Sequence, residues 1–271
     1  MAALKGALPA IVGAANAAGG DALQVDRSLR FTSGDSTYLN KAQANGNRKT
    51  FTFSFWIKKS DSQGSWPCII GADSNSNRRA HLRWNSDYLQ CYFIESGSTA
   101  LNLQPTRIFR DSSAWIHIVL GIDTTQSTEA DRAKLYINGE LQDTFTYATY
   151  PSQDLQLPIN DSAATAVIGR RNYDGSQYIS SYLAEINFVD GTQLAASSFG
   201  ETNSNNVWVP KTYGGAYGTN GYYLKFDDNS SLSALGTDSS GNNNNFTPYN
   251  FIHEPSVLGK PVGGNYDSEA S

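Results

Sequence analysis

The chain has few of the residue types that carry strong chemistry. Two cysteines, Cys68 and Cys91, and three histidines are spread over 271 residues. Two thiols cannot form the multi-bridge framework of a small secreted domain, and no Cys/His spacing of a zinc site is present. His81, His117 and His253 are scattered, so spacing argues for neither a Ser/His/Asp arrangement nor a histidine metal cluster. The glycine-rich run Tyr213–Gly218 lacks the Lys-Ser/Thr ending of a phosphate loop. Charged residues make up only 17% of the chain and the formal net charge is −5, which argues against a nucleic-acid footprint. No apolar run approaches the length of a membrane span, so no membrane insertion is expected.

What is abundant fits sheets and turns. There are 24 Gly, 15 Tyr and 12 Phe, with many Asn and Ser. Gly and Asn suit turns, while Tyr and Phe suit pleated surfaces. With 39% hydrophobic residues the chain can fill the core of one large sandwich or two smaller units. The organising stretch is Trp115–Gly139. In an extended chain Ile116, Ile118, Leu120 and Ile122 share one wholly aliphatic face, and Trp115, His117, Val119 and Asp123 share the other. After a polar loop, Leu135 and Ile137 alternate with Lys134 and Tyr136. Asn138-Gly139 then predicts a tight two-residue hairpin with a returning strand over 140–146. His117 reads as structural.

These residues resemble the centre of a laminin-G-like, concanavalin A-like jelly-roll domain. Phe51–Lys58 resembles that family's early core strand, Val167–Arg170 the strand after the hairpin, and Leu183–Gly191 the closing strand. The resemblance covers roughly residues 27–199. It implies an all-β fold, an antiparallel two-sheet jelly-roll sandwich with an N-terminal arm. It does not fix function, because this architecture hosts many.

In chain order, residues 1–26 form an Ala/Gly-rich segment that reads as an assembly anchor, with a secretory signal as the alternative. Residues 27–250 form the sandwich, including an extra C-terminal strand, and 251–271 a tail. Further strands are expected at Ser28–Phe31, Thr37–Leu39, Cys68–Ala72, Ala80–Trp84 and Leu89–Ile94. The two cysteines fall in these strands and read as buried thiols, their pairing left open. Asp73–Arg79 reads as a polar, basic recognition loop beside Trp66 and Trp84, and Arg170–Gly175 as a second rim loop; for both the alternative is an ordinary solvated turn. Sugars are often bound by an aromatic plate with planar hydrogen-bonding groups nearby. Trp66, Arg78, Arg79, Trp84, Arg171 and Tyr173 are therefore the candidate ligand contacts.

The closing strand carries an enzyme-like pattern. Retaining glucanases of the same broad fold place Glu-x-Asp-x-x-Glu on a strand, with two carboxylates about 5 Å apart. Here Asn187 stands at the middle acid and Asp190 at the second Glu, so Glu185 lacks its partner and a non-enzymatic domain is expected. Laminin-G-like domains often hold calcium at the rim. Asp227, Asp228, Asp238 and Asn242 offer hard oxygen ligands for it, the alternative being Asx-turns.

The arm, Ser28–Phe31, the jelly roll, then Gly218–Phe226 and Asp238–Asn242 together resemble virion structural proteins of marine tailed bacteriophages, described as tail fibre, spike or capsid-surface components. That resemblance implies a place on the virion surface. It implies as partners other virion proteins held through the arm, sister copies of the chain, and a cell-surface glycan. The rival expectations are an architectural cement protein without a ligand and a polysaccharide hydrolase.

Overall fold

The computed structural model describes residues 25, 27–60, 66–253, 261–262 and 266–267. Apart from Val25 the predicted arm lies outside the described residues, as does most of the predicted tail. Among the described residues two antiparallel sheets of eight strands each form the sandwich. The first runs in the order β10 (Glu140–Leu141), β9 (Ala133–Ile137), β8 (Ile116–Asp123), β3 (Thr50–Lys59), β13 (Ser181–Asp190), β1 (Ser28–Phe31) and β20 (Tyr266–Asp267), with β16 (Tyr222–Leu224) also paired to β13. The second runs β11 (Phe145–Thr149), β7 (Ser98–Pro105), β6 (Tyr88–Glu95), β5 (Arg78–Asn85), β4 (Cys68–Asn75), β12 (Thr165–Ile168), β2 (Tyr38–Ala42) and β17 (Thr247–Tyr249). Two short hairpins stand apart: β14 (Gly200–Thr202) with β15 (Trp208–Pro210), and β18 (Ile252–His253) with β19 (Pro261–Val262).

The alternating pattern produces this sandwich. Ile116, Ile118, Leu120 and Ile122 are all buried, and they pack in one cluster with Phe51, Phe53, Phe55 and Ile57 of the neighbouring strand. Across the layer the same cluster takes in Leu82, Trp84, Leu89, Cys91, Phe93, Leu101 and Leu103 of the second sheet. Asn138 (φ 49°) and Gly139 (φ 86°) form the tight turn between β9 and β10, both in the left-handed region that such a turn requires.

The strands differ from the sequence reading at three places, and Tyr266–Asp267 of the predicted tail pairs with β1 in the first sheet. The returning strand pairs with β9 only over Glu140–Leu141; the chain then crosses to the second sheet and pairs as β11 with β7. Both residues of β10 are exposed, so no buried face holds a longer strand on that edge. The predicted loop Asp73–Arg79 is mostly strand, because β4 runs to Asn75 and β5 starts at Arg78; Asn75 closes the short turn by accepting the Asn77 amide at 2.9 Å. Strand β7 was not anticipated, since only Leu101 and Leu103 mark its inner face.

A third layer lies on the outer face of the first sheet. Phe199 is buried there with Val119 and Val189, and Trp208, Tyr213 and Tyr217 pack against them. Trp208 fits because Gly139 and Gly200 lack side chains: a Cβ at Gly139 would lie 2.6 Å from the indole and one at Gly200 2.5 Å. Beneath it His117 is 1% exposed, stacked on Trp56 at 4.8 Å between ring centres. The Trp208 indole N–H is only a donor, and it reaches His117 Nδ1 at 3.0 Å. Nδ1 therefore accepts, and Nε2–H donates to Ser54 Oγ at 2.9 Å. Burial pushes the His117 pKa down to about 3, so the imidazole is neutral.

Candidate binding face on the second sheet

The outer face of the second sheet is built from the positions that alternate with its core residues. On β5 the core takes Ala80, Leu82 and Trp84, which leaves Arg79, His81, Arg83 and Asn85 facing outward. On β6 the outward positions are Tyr88, Gln90, Tyr92 and Ile94, and on β7 they are Asn102 and Gln104. On these three strands the face is mostly polar or aromatic, and its side chains interlock; Ile94, with Cys68 of β4 and Val167 of β12, adds buried apolar positions. Trp66 Nε1 donates to Asn85 Oδ1 at 2.9 Å, and Asn85 Nδ2 donates to Gln104 Oε1 at 2.8 Å. Arg83 Nε donates to Gln90 Oε1 at 2.9 Å, and Gln90 Nε2 passes the chain on to Asn102 Oδ1 at 2.8 Å. The Arg83 guanidinium lies 4.3 Å from the Tyr92 ring centre and 5.3 Å from that of Trp66. Trp66 itself is 47% exposed and Tyr147 of β11 is 50% exposed. Exposed aromatic rings over fixed amides and a guanidinium suit a ligand that offers C–H faces and many hydroxyls.

A second cluster adjoins it. His81 Nε2 and Asp73 Oδ1 are 2.7 Å apart, both side chains buried. The neighbouring carboxylate favours an imidazolium, but burial is the larger effect and lowers the His81 pKa, so a neutral ring donates to a carboxylate. Asp73 Oδ2 also accepts the backbone amide of Asn172 at 2.8 Å, which fixes the 170–178 loop beside the face. There Arg79 and Arg171 lie 5.2 and 4.9 Å from the Tyr173 ring centre, and Asp174 pairs with Arg171.

Of the predicted ligand contacts, the structure brings Arg79, Arg171 and Tyr173 together and places Trp66 on the same face. Trp84 is a correction. It is wholly buried against Phe109 in the core, because its position on β5 points inward. Arg78 is also drawn elsewhere, into an ion network with Glu95 and Asp161 that Arg48 completes. Arg83, Tyr92, Gln90, Asn102 and Gln104 escaped the sequence reading. Their signal was the second half of each strand's alternation, a polar position at every other residue.

The calcium candidates do not fit an ion. The Asp238 carboxylate is filled by donors: the amides of Tyr223, Ser240 and Asn244 at 2.8 Å each, and the Ser240 hydroxyl at 2.9 Å. Asn242 spends its amide on the Gly218 and Gly221 carbonyls at 2.7 and 3.0 Å. Asp227 pairs with Lys225, and Asp228 accepts the Ser230 amide. These side chains close turns instead of converging as ligands, and among the described residues no group of three acidic, Cys or His side chains could hold a metal.

The glucanase-like residues are likewise occupied. Glu185 sits at a bulge in β13 with φ 50° and accepts the Tyr223 hydroxyl. Asp190 accepts the amides of Asn47 and Asn220 and the Asn160 side chain. It ties three loops together.

A family model described as the concanavalin A-like lectin/glucanases superfamily matches residues 31–197. No curated protein matches the sequence. Among solved structures, a putative carbohydrate binding protein from Bacteroides ovatus aligns with a TM-score of 0.51 at 15% identity, over 83% of this chain and 58% of that one. A pentraxin from Limulus polyphemus gives 0.43 at 15% identity over 64% and 80%. Tailspike protein 2 of an Escherichia coli bacteriophage gives 0.44 at 14% identity over 64% and 23%. The chain thus spans less than two thirds of the Bacteroides and tailspike chains.

Proposed function

Because the chain belongs to the concanavalin A-like lectin/glucanase superfamily, we propose that it is a non-enzymatic adhesion module whose second sheet binds a cell-surface glycan. The observation that carries this reading is the outer face of that sheet. Trp66, Asn85, Arg83, Tyr92, Gln90 and Asn102 form one pre-ordered surface, with aromatic rings available at its border. Such a surface loses little side-chain entropy when a sugar lies on it. Each site would be weak, and copies displayed together would convert weak contacts into avidity. The sequence resemblance to phage virion proteins supports a place on a virion surface, with the arm at residues 1–26 holding the chain to other virion proteins or to sister copies.

The test is a glycan array that spans bacterial polysaccharides, probed with the chain in multivalent form and with the Trp66→Ala variant. Binding that falls at least tenfold in the variant is the expected result. An array that stays blank for the multivalent chain would leave an architectural cement protein as the better description.

A further inference from the structure

Arg83 marks what kind of glycan this face takes. It is 8% exposed, yet among the described residues its one side-chain hydrogen bond goes from Nε to a neutral amide oxygen on Gln90. Neither Nη nitrogen has a partner among the described residues. Its other neighbours are the Tyr92 and Trp66 rings, which stabilise a cation but accept no in-plane hydrogen bond, and Cys68 opposite it on β4, a thiol that burial keeps neutral. Other arginines near the face are neutralised: Arg78 by Glu95 and Asp161, Arg171 by Asp174. Asp73, the acid nearest on β4, is already committed to His81 and the Asn172 amide. Removal from water lowers the Arg83 pKa to about 10, which still leaves it charged at neutral pH. A guanidinium this buried normally has a carboxylate beside it. Here the fork of Nη donors remains open next to an exposed indole, on a chain whose overall charge is −5.

We propose that Arg83 is the anion-binding centre of this face and that the ligand is an acidic polysaccharide, with a uronate-type carboxylate on the Nη fork and its sugar ring against Trp66. Two parallel N–H···O bonds fit a planar carboxylate, and the rings hold the guanidinium in place before the ligand arrives. Arg79, stacked on Tyr173, adds positive potential along the same face. This inference rests on the glycan-binding reading above.

The experiment compares polygalacturonate and alginate with their carboxyl-reduced forms, which keep the linkages and lose the charge. Binding to the full chain is followed by calorimetry at low and at moderate salt. The acidic polymers should bind at least tenfold more tightly than the reduced ones, with a difference that shrinks as salt rises. Arg83→Gln should bring the ratio near one, and Arg83→Lys should restore part of it. Equal binding of acidic and reduced polymers overturns the acidic ligand and leaves the glycan reading standing; so does binding confined to neutral glycans. An acid preference that survives in a folded Arg83→Gln overturns the assignment to Arg83. Failure to bind any polysaccharide, acidic or neutral, removes the glycan reading and this inference together. The ratio measured on the unaltered chain needs no variant, so a poorly folding Arg83→Gln does not blunt the test.

Discussion

The two outer faces of this sandwich began from the same rule and ended differently. Both sheets alternate core residues with outward residues, yet the outward side of the first sheet is dry and that of the second is polar. On the first sheet Trp56, His117, Val119 and Val189 point outward and are buried, because Phe199, Trp208 and Tyr217 from the later chain lie over them. On β5 to β7 of the second sheet the outward positions are mostly Arg, His, Gln, Asn and Tyr, many of them linked to one another and bordered by exposed rings, while Cys68, Ile94 and Val167 make a smaller apolar part of the same face. The covering layer on the first sheet contributes stability; on the second sheet the polar network keeps Gln90 and Gln104 paired although both are almost wholly buried, while Arg83 keeps unpaired Nη donors among the described residues. On the proposed reading, structure belongs to one side of the molecule and recognition to the other.

Substitutions on matched sides should break this contrast if it is wrong. Trp208→Ala removes the indole over Gly139 and Gly200 and strands Nδ1 of His117. It should cost about 3 kcal/mol in denaturant unfolding. Trp66→Ala on the opposite face should cost under ~0.5 kcal/mol.

Acid should act on the covered face. The folded pKa of His117 lies below the ordinary value near 6.5, so the unfolded chain takes up its proton first. The stability from this group is fully present above pH 6.5 and is lost as pH falls through the window toward about 3. Between pH 7 and 5 the loss should be about 2 kcal/mol. His117→Gln should flatten that slope while being less stable at pH 7. His81, also held neutral by burial, adds to the same window.

Asp238 sharpens the contrast further, since its carboxylate gathers the Tyr223 amide of β16 and the 240–244 turn. Asp238→Ala should destabilise by about 2 kcal/mol through unpaired amides. Added calcium should leave the melting temperature of the unaltered chain unchanged. The smallest effect concerns the thiols. Cys91 lies in the core with its pKa pushed up to about 12, and burial also raises that of Cys68. Neither should react with a disulfide reagent at pH 8 until denaturant is added.

The strands of the core were legible because their aliphatic residues repeat every second position. Ile116–Ile122 and Phe51–Ile57 fall where that period puts them. The covering layer was not legible. Trp208 and Phe199 carry no period, and what seats Trp208 is the absence of side chains at Gly139 and Gly200, far apart in sequence. Among candidate contacts, Arg171 and Tyr173 are legible because they sit in a turn rich in polar residues, and Arg79 because it borders the polar 74–77 segment, although it lies on β5. Trp84 was misassigned because a tryptophan beside a polar segment looks like a sugar plate until its strand phase is known. Arg83 was overlooked for the same reason in reverse: its outward phase follows from Leu82 and Trp84 pointing inward.

Hydrogen–deuterium exchange of the chain with and without a bound polysaccharide tests the division of the two faces most directly. Protection concentrated in Arg78–Pro105 and the 170–178 loop, with exchange over 194–223 unchanged, is the predicted result. Protection over 194–223 with the second sheet unaffected would contradict it.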